Sequence, residues 1–263
     1  AFGSECKGYI RTHNKTEYEY FKNIKMNLYH KIYTIKSTNG KEANIESIIS
    51  KILKKISENA ISQIARTSNK FKKEEIKWVV TIPAIWEEKS KQIMIKASIN
   101  AGLIDQKSDK SLFLALEPEA AGIYFYKSSY CIKCQKKNIL YINDENPYII
   151  CDIGAGTADI CTHKKINIEE NPELIEEYPP IGGDFGGQKI NEEFIKRLIV
   201  EIFGEDKVKE LQNNPMDEDW DKFEKEIEDL KKSCYDNDSK DLILDCSLFE
   251  DEDERETKIR SFE

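Results

Sequence analysis

The stretch Asp152-Ile153-Gly154-Ala155-Gly156-Thr157-Ala158-Asp159 decides how this chain folds. Two short apolar runs flank it, at residues 148–151 and 160–162, and this order predicts strand, glycine turn, strand. Glycine can adopt φ values that other residues avoid and puts no side chain between the backbone and a ligand. Successive backbone N–H groups in such a turn form a concave anion site.

The polar side chains of this turn indicate a cradle for a metal and a phosphate. Thr157 adds a hydroxyl, and Asp152 and Asp159 add carboxylates, which suit magnesium or an ordered water better than bare phosphate. The alternative is an ordinary glycine hairpin whose aspartates hydrogen-bond their own turn. Short glycine motifs are weak evidence by themselves, so the rest of the chain has to decide.

Composition limits the classes of function. The 263 residues suffice for one large domain or two lobes, and 40 basic against 49 acidic side chains give a net charge of −9. This balance argues against nucleic acid or an anionic membrane as the main partner, because phosphate contacts need a basic face. No apolar run approaches the ~20 residues of a membrane span, and no secretory signal is visible, so we expect a cytoplasmic protein.

The seven cysteines favour reduced thiols, because their number is odd and their spacing irregular. Cys131 and Cys134 form a CxxC pair, which could be half of a zinc site or a redox pair. Zinc needs two more ligands, and no second CxxC exists. The favoured interpretation is a surface loop with two free thiols, within a polar insertion at residues 127–146.

Periodicity predicts the elements that precede the glycine turn. Apolar residues at three- and four-residue spacing predict a helix at residues 45–66. Residues 78–82 and 112–116 read as strands, and a helix is expected between them at about residues 87–101, ended by Gly102. Residues 21–28 fit either a strand or a short helix.

Two further features point to ligand binding. Glu117 stands at the carboxyl end of a strand, where α/β proteins place ligands; its alternative is a helix-entry acid stabilised by the helix dipole. The glycine cluster Ile181-Gly182-Gly183-Asp184-Phe185-Gly186-Gly187 precedes a helix that continues to Gly204, and a glycine turn at a helix N-terminus is an anion site. The alternative is a flexible linker.

Beyond these features, a strand is expected within residues 169–178. A charged helix is predicted at residues 220–235 and a strand at 242–244, and the end of the chain is acidic.

Four motifs occur in the order used by the actin-like ATPase domain of the 70-kDa heat-shock protein superfamily. The chain resembles that family at Val80-Thr81-Ile82-Pro83-Ala84, at Glu117-Pro118-Glu119-Ala120-Ala121, at residues 152–159, and at Gly182-Gly183 with the following helix. Pro83-Ala84-Ile85-Trp86 and Ile202-Phe203-Gly204-Glu205-Asp206 are also similar to the divergent heat shock 70 kDa protein 12-like branch.

The resemblance implies an α/β, actin-like ATPase (ribonuclease H-like) fold with two lobes, incomplete at both ends. Residues 1–146 would be the remainder of the first lobe, without its first phosphate hairpin. Residues 147–263 would be the start of the second lobe, with the second phosphate hairpin and the Gly-Gly helix. On this view the chain is a fragment from the middle of the domain.

The resemblance also implies roles for individual residues. Asp152 and Glu117 would place the water that attacks the terminal phosphate, in a reaction that relies on positioning and charge. Asp152 and Asp159 would hold magnesium, mainly through water. Pro83 matches the position that couples nucleotide state to lobe movement. The residues implied to bind nucleotide are Gly154, Ala155, Gly156, Thr157, Gly182, Gly183, Glu228 and Lys231, the last two at the ribose and base.

The resemblance therefore implies an ATP-binding, chaperone-like domain that uses ATP or ADP with Mg²⁺ and would hydrolyse ATP if completed. Client proteins and co-chaperones would be its partners, and nucleic acid and membranes would not. Ala155 departs from the pattern, because the family has glycine there. This departure and the missing ends keep a second hypothesis open, a degenerate, non-catalytic interaction module. A redox or zinc protein built on Cys131 and Cys134 is the third.

Overall fold

The computed structural model describes residues 18–67, 72–105, 111–128, 146–166, 173–213 and 218–234, with Gly3, Cys6 and Tyr9. The CxxC pair and the strand expected at residues 242–244 lie outside these ranges. The described residues form two compact units, one within Glu19–Gly186 and the other within Gly187–Glu263 together with Gly3–Tyr18. The lobe boundary expected between residues 146 and 147 stays a prediction.

The unit within Glu19–Gly186 mixes helices with small sheets. Its main elements are α1 (Ile24–Tyr29), β1 (Thr34–Lys36), β2 (Glu42–Asn44), α2 (Ile45–Thr67), β3 (Trp78–Ile82), α3 (Glu88–Asn100), β4 (Leu112–Leu116), α4 (Glu117–Ser128), β5 (Tyr148–Ile153), β6 (Ala158–Ile166) and β7 (Glu173–Gly183). Its core contains Leu28, Ile35, Ile45, Ile49, Ile82, Trp86, Met94 and Ala97.

The ambiguous segment at residues 21–28 contributes a short helix, α1. Asn23 precedes the helix with a left-handed φ of 53°, a conformation that asparagine tolerates better than most residues. Leu28 is the one residue of α1 that is fully buried, at 1% exposure. A single buried position gives no period, so the sequence could not separate helix from strand here.

The predicted helix at residues 45–66 is confirmed as α2, and the one at residues 87–101 as α3. Met94 and Ala97 of α3 are buried, as is Ala101, the residue that caps the helix. Gly102 ends the helix with a φ of 74° and donates its N–H to Ile99 O. A left-handed residue at this position is the usual way to stop a helix, and only glycine adopts it without strain.

Strands β3 and β4 form a parallel pair connected by α3, and both match the predicted bounds. The register pairs Ile82 with Leu116, so the residues that follow them, Pro83 and Glu117, leave the sheet at the same edge. This confirms that Glu117 stands at the carboxyl end of a strand. Helix α4 begins at Glu117 itself, so Glu117 also lies in the first turn of a helix.

Strands β5, β6 and β7 form an antiparallel sheet in that order. Strand β7 is longer than expected and includes Gly182 and Gly183, which pair with Asp159 and Ala158 of β6. These two glycines therefore belong to a strand and do not form a turn, whereas the helix predicted after the glycine cluster is confirmed and begins at Gly187. Strand pairing continues through them because neither residue has a side chain that would obstruct it.

The unit within Gly187–Glu263 is helical in its described part. It contains α5 (Gly187–Phe194), a π-helical turn (Ile195–Ile199), α6 (Val200–Phe203), α7 (Glu205–Asn213) and α8 (Glu218–Ser233). Gly204 ends α6 with a φ of 84°, as predicted. On α8 the buried face is Trp220, Phe223 and Ile227, the spacing expected for the charged helix.

The structure as described is thus a mixed α and β fold with small sheets. Among the described helices, none has both the length and the apolar character needed to cross a membrane.

Candidate functional site

The glycine turn is a four-residue loop, Gly154 to Thr157, between paired residues Ile153 and Ala158. The N–H of Gly154 donates to Thr157 O over 2.9 Å and closes the loop. Within the described part of the chain, no protein acceptor pairs with the N–H groups of Ala155, Gly156 or Thr157. Three unpaired N–H groups in one short loop are what an anion-binding turn requires.

Glycine is needed in this turn for close packing by neighbouring atoms, not for unusual backbone angles. Neither Gly154 nor Gly156 has a left-handed φ, so that part of the expectation is wrong. A Cβ on Gly156 would collide with the sulfur of Met26, which packs directly on the turn. Ala155 also lies outside the left-handed region, so its methyl group causes no backbone strain.

The two aspartates at the ends of the turn face each other. Asp152 and Asp159 are register partners on β5 and β6, so their side chains lie on the same face of the hairpin. Asp159 is 1% exposed, and its Oδ1 accepts a 3.0 Å hydrogen bond from the N–H of Ile85. Asp152 is half-buried, and no described donor pairs with its carboxylate. Asp159 is thus already hydrogen-bonded within the protein, whereas the carboxylate of Asp152 has no described donor.

Asp159 links the hairpin to the loop after β3. Ile85 lies two residues beyond Pro83, which is itself fully buried. The hydrogen bond from Ile85 therefore ties the coupling position proposed for Pro83 to the strand that leaves the glycine turn.

Glu117 forms an ion pair with a residue that the sequence did not single out. Lys25 Nζ of α1 lies 2.9 Å from Glu117 Oε1 and 2.9 Å from Oε2. The lysine side chain is 51% exposed and the glutamate 23%. The carboxylate is thus neutralised by a cation that remains accessible to solvent.

Helix α1 and the residue after it contact three of the motifs that the sequence predicted. Lys25 binds Glu117, Met26 packs on Gly156, and His30, which follows α1, has its Nε2 3.7 Å from Asp184 Oδ2, just after Gly182-Gly183. Since Lys25 and Met26 are neighbours in the chain, α1 contacts both Glu117 and the glycine turn. The sequence indicated a strand or a short helix here but singled out neither Lys25 nor Met26, because isolated polar and apolar residues of a short helix form no motif.

Gly182 and Gly183 have packing reasons to be glycine. A Cβ on Gly182 would collide with the backbone oxygen of Ala158, and one on Gly183 would lie 2.5 Å from the Phe185 ring. The contact with the glycine turn comes from Gly186 instead, whose N–H donates to Gly156 O over 3.2 Å.

Glu228 and Lys231 lie in the unit within Gly187–Glu263, where they bind each other. Lys231 Nζ lies 2.6 Å from Glu228 Oε2 and also donates to Gly187 O at 2.9 Å. Asn191 donates to the same carboxylate oxygen, and Lys232 Nζ is 3.3 Å from Oε1. The hydrogen bonds from Lys231 and Asn191 lower the pKa of Glu228 to about 2. This network fastens α8 to the start of α5.

The carboxylates fit one kind of metal better than others. No group of three or more His, Cys, Asp or Glu side chains within the described residues could hold an ion by itself. Magnesium usually keeps several waters and binds through one or two carboxylates together with substrate phosphates. Asp152, with an unpaired carboxylate beside a turn of unpaired N–H groups, fits an ion that arrives with a phosphate ligand.

Comparison with known proteins finds similar sequences, although no family model matches the chain. The chain is similar to heat shock 70 kDa protein 12A of Homo sapiens, with 26% identity over 219 residues, which is 67% of this chain and 32% of that protein. The Mus musculus protein of the same name is 27% identical over the same shares. Heat shock 70 kDa protein 12B of Homo sapiens is 25% identical over 266 residues, 78% of this chain and 37% of that protein.

These similarities confirm the resemblance to the 70-kDa heat-shock protein superfamily and its divergent 12-like branch. The chain spans about a third of the length of the curated relatives it matches.

Proposed function

We propose that this chain is part of an actin-like ATPase domain that binds ATP or ADP with Mg²⁺ at the Asp152–Asp159 hairpin. The supporting observation is that α1 contacts two of the predicted motifs: Lys25 pairs with Glu117, and its neighbour Met26 packs on Gly156. A cation, a carboxylate and a turn with unpaired N–H groups are the parts that phosphate binding requires. The similarity to the heat shock 70 kDa proteins 12A and 12B supports the same assignment.

In this proposal each group has one task. The N–H groups of Ala155, Gly156 and Thr157 bind phosphate oxygens. The carboxylate of Asp152 orients the waters of a magnesium ion that enters with the nucleotide, and Asp159 holds the hairpin against the loop after Pro83. Lys25 adds positive charge, and Glu117 orients the attacking water. Bound magnesium would supply charge neutralisation at the phosphates.

The finer parts of the proposal concern the whole protein. Gly182, Gly183, Glu228 and Lys231 are proposed to complete the nucleotide site, and Pro83 to couple nucleotide state to lobe movement. Two lobes, ATP hydrolysis, a chaperone role with client proteins and co-chaperones, and a cytoplasmic location are proposed with them. They rest on the resemblance, not on contacts within the described residues.

Titration calorimetry with magnesium-ATP tests the binding proposal. We expect Asp152→Ala to weaken binding at least tenfold, equivalent to about 1.4 kcal/mol. Asp105→Ala is the matched control, because Asp105 is exposed and remote in sequence from the hairpin. Equal affinities for the chain and the Asp152→Ala variant, or no binding to the chain, would refute the proposal.

A second candidate function is a non-catalytic interaction module. The observation that favours it is an apolar outer sheet face, on which Ile149, Ile153 and Ile181 are 66%, 70% and 64% exposed. Exposed apolar patches often mark interaction sites. Phosphate release separates the two candidates: a rate above that of the Glu117→Ala variant supports the ATPase, and equal rates support the module.

A further inference from the structure

Gly186 lies in the loop between β7 and α5, within the glycine cluster at residues 181–187, but the sequence assigned it no role of its own. It is buried, and its N–H donates to Gly156 O over 3.2 Å. We infer that Gly186 is a positioning residue that aims the N–H of Thr157 at the phosphate ligand. This inference rests on the proposed function, because it assigns the orientation of the same anion site.

The argument begins with the peptide unit between Gly156 and Thr157. The structure has no cis peptide bond among its described residues, so this unit is trans and planar. In a trans peptide the C=O and the N–H point in opposite directions. Because Gly186 holds the oxygen of Gly156, the N–H of Thr157 is directed to the other side of the turn, where no described acceptor pairs with it.

A second hydrogen bond fixes the other end of the same turn. The N–H of Gly154 donates to Thr157 O, so the carbonyls on both sides of the Thr157 N–H have protein partners. An N–H group that is already oriented before the ligand arrives binds an anion without paying the cost of reorganisation. Gly186 therefore acts through Gly156 and does not itself contact phosphate.

The side chain of residue 186 is excluded by backbone atoms. A Cβ there would lie 2.5 Å from Gly156 C and 2.6 Å from both Ala155 C and Ala155 O. Backbone atoms cannot rotate away as a flexible side chain can, so a methyl group must displace the turn. Met26 also packs on Gly156, where an added Cβ would collide with its sulfur, so the turn is in contact with protein at this residue too.

The test is amide NMR of the threonine-selectively ¹⁵N-labelled chain, titrated with sodium tripolyphosphate and separately with magnesium-ATP. We expect the Thr157 amide signal to shift on addition of either ligand. In Gly186→Ala the signal should move before any ligand is added, and the affinity should fall about tenfold or more. Phe185→Ala is the control, because it alters an exposed ring of the same loop and keeps the Gly186 N–H.

A second measurement needs no variant and therefore does not depend on the folding of Gly186→Ala. In the unliganded chain, hydrogen exchange should be slower at the hydrogen-bonded amides of Gly154 and Gly186 than at Thr157, and tripolyphosphate should slow exchange at Thr157. A Thr157 signal that responds to ligand equally well in Gly186→Ala overturns the positioning role alone. A Thr157 amide that responds to neither ligand in the unaltered chain overturns the anion site and the positioning role together.

Discussion

The backbone N–H of Ile85 donates a 3.0 Å hydrogen bond to Oδ1 of Asp159, which joins the loop after β3 to the strand that follows the glycine turn. The two residues are 74 positions apart, and the acceptor is among the most buried polar side chains of the described structure. The bond is charge-assisted, and such bonds are stronger than those between neutral groups. It therefore fixes the hairpin relative to the parallel strands.

Removal of this acceptor should destabilise the fold. Asp159→Ala leaves the Ile85 N–H without its partner, and we expect the free energy of unfolding to fall by about 1–3 kcal/mol. Asp159→Asn retains an oxygen acceptor and removes a buried charge, so it should stay within about 1 kcal/mol of the unaltered chain. Urea unfolding of the three proteins measures the difference. An Asp159→Ala variant as stable as Asp159→Asn would mean that the hydrogen bond contributes nothing.

The sequence predicted the strands and helices around this link well, because each has a clear period or a clear boundary. Residues 78–82 and 112–116 are short apolar runs between polar segments, and both strands have the predicted bounds. The link itself could not be predicted. A hydrogen bond from a backbone N–H leaves no mark in the sequence, and Asp159 belongs to a motif that equally suggests a metal ligand.

Lys25 gives the second prediction, since it neutralises Glu117 while remaining 51% exposed. Exposed ion pairs contribute little to stability, so Lys25→Ala should change the free energy of unfolding by less than about 1 kcal/mol. The affinity of the Lys25→Ala variant for magnesium-ATP should nevertheless fall severalfold, because the proposed site loses the positive charge that pairs with Glu117. Lys36→Ala, which removes the exposed pair with Glu42, is the control and should leave affinity unchanged. Equal affinities in both variants would remove Lys25 from the site.

The contacts made by α1 could not be predicted from motifs in the sequence. The glycine turn and Glu117 were found from the sequence because glycine spacing and a strand end are local patterns. Lys25 and Met26 act through contacts across 92 and 130 positions of the chain, and a short helix with one buried residue has no period. For the same reason Gly186, rather than Gly182 or Gly183, emerged as the contact to the turn only from the structure.

Gly182 and Gly183 give a matched pair for the third prediction. A methyl group on Gly182 collides with the backbone oxygen of Ala158, whereas on Gly183 it meets the Phe185 ring, which is 70% exposed and can rotate away. Gly182→Ala should therefore lower the free energy of unfolding by about 1–3 kcal/mol, and Gly183→Ala by less than 1 kcal/mol. Thermal or urea unfolding measures both. The reverse order would contradict the packing argument.

Glu228 gives a prediction of pH dependence. Hydrogen bonds from Lys231 and Asn191 lower its pKa from the ordinary 4.5 to about 2, so the folded state favours the ionised carboxylate. The resulting stabilisation is complete above about pH 4.5 and is lost as the pH falls towards 2. Because the side chain is 35% exposed, we expect only about 1 kcal/mol from it after screening by solvent.

Glu228→Gln removes this titration, so the stability difference between the unaltered chain and the variant should be constant from pH 8 to about pH 5 and should shrink below that. Glu226→Gln, at an exposed position of the same helix, is the control and should show a smaller difference at neutral pH. Urea unfolding at closely spaced pH values measures each difference. If the Glu228→Gln difference grows on acidification, the carboxylate is not stabilised in its ionised form, and the network with Lys231 does not fasten α8 to α5.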